Sequence, residues 1–298
     1  MRVLDADDVA ALGPAAAVRA VTDALRGGLD PAADPPRVPV PLTRGQFLLM
    51  PSGAAAAAGV KVVTVAPGNP ARGLPRVQAA YLLFDADTLA LRAVLDGTAL
   101  TTLRTPAVSV AAVLPRLPDR PLRVAVAGAG PQATGHVATL AAVRPLGETT
   151  HLVRDPSRTP LDAVALGSPR AAAVLRTADV VVCATSAREP LFDPALLRDD
   201  AVVVAVGSHE PDARELDAVL LGRATVVVED VATALREAGD VVLAVAEGAL
   251  DPAALVPLRD VVTGAAAVPA DRPLVVKTVG MSWQDLVVAT AVAERHGV

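Results

Sequence analysis

The sequence predicts an α/β fold, with a doubly wound parallel sheet domain and a second domain of α+β type. Three observations indicate this. The 298 residues suffice for two domains of ordinary size. The second half alternates short apolar runs with helical patterns, which is typical of a parallel sheet. Residues 115–121 hold three prolines and three charged residues and form the predicted boundary. We therefore expect one domain at 1–115, joined by a final segment at 283–298, and another at 116–282.

The elements of the first half follow from apolar periodicity and turn residues. Residues 1–30 predict one helix that starts at a cap on Asp5 or Asp7 and ends at Gly27 and Gly28. The other elements predicted here are strands at 46–50 and 59–65, a two-stranded hairpin at 77–88 and 91–97, and a helix at 98–114.

The second half contains short apolar runs that are long enough to be buried parallel strands. The predicted strands are at 123–127, 149–153, 179–184, 202–206, 225–229 and 274–278. A last helix at about 283–296 is expected to cross back onto the first domain.

A glycine pattern follows the first of these strands. Gly128, Gly130 and Ala133 form G-x-G-x-x-A between a predicted strand and a predicted helix. In a dinucleotide site the first glycine makes the tight turn, the second lets the backbone approach the pyrophosphate, and the third small residue lets helix and strand pack closely. The pattern in this context predicts a Rossmann nucleotide-binding domain. The alternative is an ordinary glycine-rich turn.

Composition excludes several classes of protein. The net charge of -5 argues against nucleic acid or an anionic membrane as a partner. No apolar run reaches membrane-span length, and the acidic N-terminal sequence does not resemble a signal peptide. The single cysteine, Cys183, cannot form an internal disulfide, so we expect a cytoplasmic protein, with Cys183 as a core thiol. The four histidines are scattered without metal-ligand spacing, so no metal site is predicted.

Lys61 is the first candidate for chemistry, because the chain has only two lysines. An ammonium is compact and titratable, whereas a guanidinium is permanently charged, so a lysine in this arginine-rich chain can do what arginine cannot. On the predicted strand Lys61 shares a face with Val63 and Val65. It therefore needs a partner anion, or else it faces solvent at a sheet edge.

Arg104 and Arg37 are two further cations. Arg104 is four residues from both Leu100 and Val108 along the apolar stripe of its helix. A guanidinium there requires an anion, which is either a ligand carboxylate or a protein acid in a structural salt bridge. Arg37, between two prolines, is either a third cation of the same site or a surface residue. Together with Lys61, the two arginines would suit a small carboxylate.

The end of the second Rossmann strand bears on the choice of nucleotide. NAD-selective sites place an acid there, whereas NADP sites place Arg or Ser near the 2′-phosphate. Here Arg154 comes first, followed by Asp155, Ser157 and Arg158. This order favours NADPH, while Asp155 keeps NADH or NAD⁺ as the alternative.

Ligands of such sheets bind at the carboxyl ends of the strands. The loops at 183–190, 206–217 and 277–286 are therefore expected to rim the site. His209 is the only histidine on these rims and can exchange a proton near neutral pH. The alternative is a loop histidine bonded to backbone.

With these residues in place, the chain resembles the ornithine cyclodeaminase and μ-crystallin family from about Pro36 to Ala291. The pieces that carry the resemblance are RVPV (37–40), KVVTVAPGN (61–69), LDGTALTTLRT (95–105), GAGPQA (128–133), TSAREP (185–190), VGSHEPDARELD (206–217) and VKTVGMSWQDLVVA (276–289).

The resemblance implies a homodimer in which the first domain binds substrate and dimerises and the second binds the dinucleotide. It implies that Arg37, Lys61 and Arg104 hold a substrate carboxylate near the nicotinamide. The residues then expected to bind the cofactor are Thr105, Gly128, Ala129, Gly130, Gln132, Ala133, Arg154, Asp155, Ser157, Arg158, Thr185, Ser186, Val206, Gly207, Lys277 and Gly280.

One position separates the branches of the family. Cyclodeaminases carry an aspartate about where His209 stands here, so this loop is more similar to the μ-crystallin and ketimine reductase branch. The expected function is reduction of a small α-imino acid by NAD(P)H, reversible as an amino-acid dehydrogenase, with Lys61, or else His209, handling the proton on nitrogen. The alternatives are a cyclodeaminase with bound NAD⁺ and a non-catalytic NADPH-binding protein.

Overall fold

The computed structural model describes residues 1–55 and 57–298 and separates into two compact units. Unit 1 consists of Met1–Val108 with Gly280–Val298, and unit 2 of Ser109–Val279. The first division, between Val108 and Ser109, falls inside the helix Gly97–Val113 and not in the proline-rich segment at 115–121. No described helix is both long enough and apolar enough to cross a membrane.

Unit 1 is built on a six-stranded sheet. Its elements are β1 (Arg2–Leu4), α1 (Ala6–Ala10), α2 (Pro14–Arg26), β2 (Val38–Leu42), β3 (Gly45–Gly53), β4 (Ala57–Val65), β5 (Val77–Asp85), β6 (Leu91–Asp96), the start of α3 (Gly97–Val113) and α10 (Ser282–Arg295). The strand order is β1-β6-β5-β4-β3-β2, antiparallel except for the parallel pair of β1 and β6. Helix α10 packs on β3, β4 and β5 and against α2.

The predicted strands and hairpin of this half are confirmed, but the single helix at 1–30 is wrong. The first residues form β1, and the helical segment breaks into α1 and α2 at Gly13, whose φ of +77° and following proline stop a continuous helix. Asp5, one of the two caps predicted, is the N-cap of α1. The unpredicted strand β2 carries Pro39 and Pro41, which an edge strand tolerates because it has an unpaired side.

Unit 2 is a wholly parallel eight-stranded sheet with helices between its strands. Its elements are β7 (Leu122–Ala127), α4 (Pro131–Val143), β8 (Leu146–Val153), β9 (Ala163–Ala165), α5 (Pro169–Thr177), β10 (Val180–Cys183), β11 (Val202–Ala205), α6 (Ala218–Arg223), β12 (Thr225–Val228), α7 (Val231–Glu237), α8 (Gly239–Ala246), β13 (Val256–Pro257), α9 (Leu258–Thr263) and β14 (Leu274–Lys277). The strand order is β13-β12-β14-β11-β10-β7-β8-β9.

The order of this sheet confirms the doubly wound prediction. All six predicted strands are present, and β10 and β11 are buried at every residue, as unbroken apolar runs require. Strand β7 lies between β8 and β10, so the chain reverses its direction of winding beside β7. Ligands of such sheets bind in the crevice at that point.

Candidate active site

The glycine turn after β7 has the geometry that a dinucleotide loop requires. Gly128 has φ +115°, and a Cβ there would stand 2.6 Å from the carbonyl oxygen of Ala184. Only glycine fits, because both the backbone angle and the close approach exclude a side chain. At Gly130 a Cβ would meet open space, and Ala133 is fully buried. The turn therefore leaves the backbone exposed on one side and packed on the other.

The start of helix α4 lacks a side-chain cap. Gly130 is its N-cap and supplies no side-chain oxygen, and Gln132 stands in its first turn. By contrast, Ser168 caps α5 and Asp217 caps α6 through side-chain oxygens. The first amides of a helix need an acceptor, and together with the helix dipole they suit an anion. The residues at this turn thus fit the pyrophosphate of a dinucleotide.

A cleft of about 860 Å³ adjoins this turn within unit 2. The predicted cofactor residues that line it are Gly128, Ala129, Arg154, Asp155, Arg158, Thr185 and Ser186. Ser157 does not line the cleft, but its backbone amide and its hydroxyl both donate to Asp155 Oδ1, at 3.0 Å and 2.6 Å. These hydrogen bonds lower the pKa of Asp155. One oxygen of the acid that would select NAD is therefore engaged locally.

Glu215 joins two of the rim loops. Its Oε1 accepts from the Thr185 amide at 2.8 Å and the Thr185 hydroxyl at 2.7 Å, and its Oε2 accepts from the Gly207 amide at 2.7 Å. Burial raises the pKa of this carboxyl. Glu215 was not predicted as a site residue, because it stands in the charged segment HEPDARELD (209–217), where one acid among several does not stand out.

Lys277 lies behind these loops and does not line the cleft. It is 1% exposed, and its Nζ donates to the Ser208 carbonyl at 2.6 Å and pairs with Asp240 Oδ2 at 3.0 Å. Asp240 Oδ1 in turn accepts from the amides of Glu215 and Leu216. Because its ammonium is bonded to protein groups, we infer that Lys277 holds the 206–217 loop rather than contacting the cofactor.

Three further residues considered from the sequence, Cys183, Val206 and His209, belong to unit 2. The Val206 amide donates to the carbonyl of Cys183, and His209 is exposed in the loop that follows. Cys183 itself is fully buried, and burial raises the pKa of its thiol. The prediction of a core thiol is thus confirmed, since a buried protonated thiol is a poor nucleophile.

In unit 1, Lys61 and Arg104 meet one buried acid, Asp285. Lys61 Nζ donates to Asp285 Oδ2 at 2.7 Å, and Arg104 Nε donates to Asp285 Oδ1 at 3.2 Å. The exposed fractions are 2% for Lys61, 5% for Arg104 and 0% for Asp285. Lys61 thus has a partner anion and does not face solvent, and of the two alternatives for Arg104 the structure shows the protein acid. Asp285 was missed because it lies 224 residues from Lys61 in the chain.

Arg104 is held on two further sides. Its Nη1 donates to Gln284 Oε1 at 2.5 Å. A Cβ on Gly280 would stand 3.0 Å from both Nη atoms, and Gly280 has φ +83°, so glycine is required beside the guanidinium. Gly280 and Thr105, both expected to bind the cofactor, belong to unit 1. The guanidinium plane is therefore fixed by Gln284 and Asp285 of α10 and by Gly280, two residues before that helix.

The charge of Lys61 depends on its neighbours. Burial lowers the pKa of Lys61 to about 8, the Asp285 carboxylate opposes that shift, and the charges of Arg104 and half-buried Arg37 add to it. We call Arg37, Lys61 and Arg104 the cation cluster. At neutral pH its lysine is charged but can give up a proton, which an arginine cannot do.

Comparison with known proteins identifies the family. The profile of the ornithine cyclodeaminase/mu-crystallin family matches residues 10–297. The chain is 35% identical over 268 residues to Delta(1)-pyrroline-2-carboxylate reductase 2 of Burkholderia ambifaria, covering 85% of this chain and 81% of the relative. It is 34% identical over 263 residues to ketimine reductase mu-crystallin of Mus musculus, covering 86% and 82%.

A solved structure agrees with these sequence relatives. The Thermococcus litoralis Delta(1)-pyrroline-2-carboxylate reductase in complex with NADH and L-proline superposes with a TM-score of 0.87 at 26% identity, covering 100% of this chain and 99% of that one. The chain belongs to the ornithine cyclodeaminase/mu-crystallin family.

Proposed function

We propose that the protein is an NAD(P)H-dependent reductase of a small α-imino acid of the ketimine or Δ1-pyrroline-2-carboxylate type, reversible as an amino-acid dehydrogenase. The observation that carries this proposal is the pair of buried cations on Asp285, where burial lowers the pKa of Lys61 to about 8. The dinucleotide cleft of unit 2 and the names of the relatives support it.

The cation cluster would bind the carboxylate of the substrate. Asp285 supplies one negative charge for the two buried cations Lys61 and Arg104, so a second carboxylate is attracted to them. Arg104 is oriented by Gln284 and Asp285, and a fixed guanidinium binds a carboxylate with little loss of entropy. Holding the carboxylate also fixes the adjacent imine carbon, and fixed orientation can supply a large part of the rate.

Lys61 would supply the proton. When bound, the nicotinamide supplies a hydride to the imine carbon, and the π electrons of the C=N bond move onto nitrogen. Nitrogen takes the proton from Lys61 Nζ, which leaves a neutral amine beside Asp285. A donor with a pKa of about 8 is well matched to this transfer at neutral pH. His209 remains the second candidate for the proton.

NADPH is the proposed cofactor, with NADH as the alternative. Two features support this preference. Arg154 and Arg158 line the cleft, where their charges suit a 2′-phosphate. Asp155, which would bond to the ribose of NADH, has one oxygen committed to Ser157.

A homodimer is the proposed assembly, and the sheet of unit 1 supports it. Paired residues of antiparallel strands share a face, so Val38, Leu49 and Val62 form one row on the face opposite Lys61. Phe47 lies in the adjacent row, and Val38 and Phe47 are 47% and 37% exposed. Exposed apolar sheet faces are typical of protein interfaces.

The test is the loss of reduced-nicotinamide absorbance with Δ1-pyrroline-2-carboxylate and with Δ1-piperideine-2-carboxylate, each assayed with NADPH and with NADH. Oxidation of NADPH with either imine, and formation of the cyclic amino acid, is expected. If NADPH binds but neither imine nor the acyclic imine of alanine is turned over, the reductase proposal is wrong. Release of ammonia from ornithine without net cofactor turnover would then identify a cyclodeaminase.

A further inference from the structure

Asp285 is the fully buried acid that links the two buried members of the cation cluster. It stands in the first turn of α10, which packs across β3, β4 and β5. Each of its two oxygens bonds to a different cation, Oδ2 to Lys61 and Oδ1 to Arg104. The carboxylate is thus fixed from two sides, and it fixes the position of the Lys61 ammonium in turn.

The other groups around Lys61 cannot replace this acid. Arg104 and Arg37 are cations and favour its neutral form. Thr101 Oγ1 lies 3.4 Å from Nζ and is uncharged. Tyr81 is the cross-strand neighbour of Lys61, and burial together with Asp285 and Asp34 raises the pKa of its phenol, so it stays protonated. Among these neighbours, only Asp285 favours the ammonium form.

A second acid of unit 1, Asp34, is engaged elsewhere. Its Oδ1 accepts from the Ser52 hydroxyl at 2.6 Å, and its Oδ2 accepts from the Trp283 amide. Burial raises the pKa of Asp34, and its two hydrogen bonds oppose that shift. Asp34 therefore holds the start of α10, whereas Asp285 acts on the lysine.

We infer that Asp285 is a positioning residue that keeps Lys61 protonated and holds its Nζ in place until the substrate takes the proton. The inference rests on the proposed function in one respect, the use of that proton in imine reduction. Its electrostatic part stands on the contacts alone. Without the carboxylate, Lys61 would stand buried beside two arginines and would lose its proton at a lower pH.

The scarcity of lysine makes a direct test practicable. Lysine labelled with carbon-13 at its ε carbon gives signals from only Lys61 and Lys277. A Lys61→Arg variant or a Lys277→Arg variant assigns them. The titration midpoint of Lys61 is then measured in the whole protein, without substrate and without any assumption about its reaction.

In Asp285→Asn the Lys61 midpoint should fall by about one pH unit or more, since a charged hydrogen-bond partner is lost from a buried site. Asp285→Glu should restore it to within about half a unit. The matched control is Asp96→Asn, which removes the charge of a helix-capping acid on α3 without contacting Lys61, so the Lys61 midpoint should not move. If Asp285→Asn does not fold, the smaller neutral Asp285→Ser replaces it.

The pH profile of imine reduction provides the second readout. The basic limb of kcat should move to lower pH in Asp285→Asn by the same amount as the Lys61 midpoint, and return in Asp285→Glu. An unchanged midpoint in the neutral variants overturns the inference, whatever the activity. A shifted midpoint in a protein that reduces no imine leaves the electrostatic role of Asp285 intact and rejects the proposed function instead.

Discussion

The two lysines of the chain occupy opposite surroundings, although each is buried and each is paired with a buried aspartate. Lys61 of unit 1 pairs with Asp285 and stands beside Arg104 and Arg37. Lys277 of unit 2 pairs with Asp240, donates a hydrogen bond to the Ser208 carbonyl and interacts electrostatically with Glu215. The first is one of three cations, and the second is a cation among acids.

The difference shows why burial and pairing alone do not identify a functional lysine. Excess positive charge makes the proton of Lys61 easier to remove and leaves the cluster able to accept an anion. Excess negative charge around Lys277 ties its ammonium to the loops that it holds. We therefore expect Lys61 to take part in the reaction and Lys277 to stabilise the structure.

The largest expected effect is on Lys61. Lys61→Met should lower kcat for imine reduction by about 10³-fold, the usual worth of a positioned proton donor, with NADPH affinity nearly unchanged. Steady-state rates and NADPH fluorescence titration measure the two quantities. Lys61→Arg keeps the positive charge but cannot release a proton near neutral pH, so its kcat should also be reduced. Full activity in Lys61→Met would refute the assignment.

Lys277→Met should affect stability instead. It leaves Asp240 buried without its cation, which typically costs about 3–5 kcal/mol in the free energy of unfolding. Thermal or denaturant unfolding measures the loss. The control is Asp240→Asn combined with Lys277→Met, which removes both charges and should recover part of the stability. A fully stable single variant with lost imine turnover would reverse the comparison between the lysines.

Glu215→Gln tests how the acids of unit 2 serve the cleft. The amide cannot accept from the Thr185 and Gly207 amides at once, so the two loops separate. Loss of a hydrogen bond to a charged acceptor is worth about 1.5–3 kcal/mol, so NADPH should bind about 10- to 100-fold more weakly. The KM for the imino acid, whose carboxylate is bound by the cation cluster, should change less. Unchanged NADPH affinity would contradict this role for Glu215.

The pH dependence of kcat in the wild-type enzyme is a further test of the role of Lys61. Because the pKa of Lys61 is about 8, its protonated form is lost above that pH, and kcat for reduction should fall about tenfold per pH unit there. The reverse reaction, which needs the neutral amine, should rise over the same range. A flat reductive profile up to pH 10 would remove Lys61 as the donor.

The smallest expected effect concerns nucleotide choice. Arg154→Ser removes a cation that lines the cleft, so NADPH should bind roughly tenfold more weakly while NADH binding is unchanged. Fluorescence titration with both nucleotides measures this. Arg176→Ser, on α5 and outside the lining of this cleft, is the matched control. Equal loss of both nucleotides would mean that Arg154 does not select the phosphate.

Much of the fold was predictable because its signals are local. Apolar runs located the six strands of unit 2, and the glycine pattern located the turn after β7. Strand β2 was missed because prolines argue against a strand unless it lies at an edge, and edge position is a property of the whole sheet. The break at Gly13 was missed although the Gly13-Pro14 dipeptide is a local turn signal, because the apolar residues on both sides were interpreted as one helical pattern.

For the site, the sequence by itself determined which residues need a partner. Alternation along β4 placed Lys61 on an apolar face, and periodicity along α3 placed Arg104 on an apolar stripe, so each required an anion. Only the tertiary structure decided that one residue, Asp285, serves both, and that Asp240 and Glu215 surround Lys277. The reason is physical: a periodic pattern reports the direction of a side chain, whereas its partner comes from an element that packs against it from far along the chain.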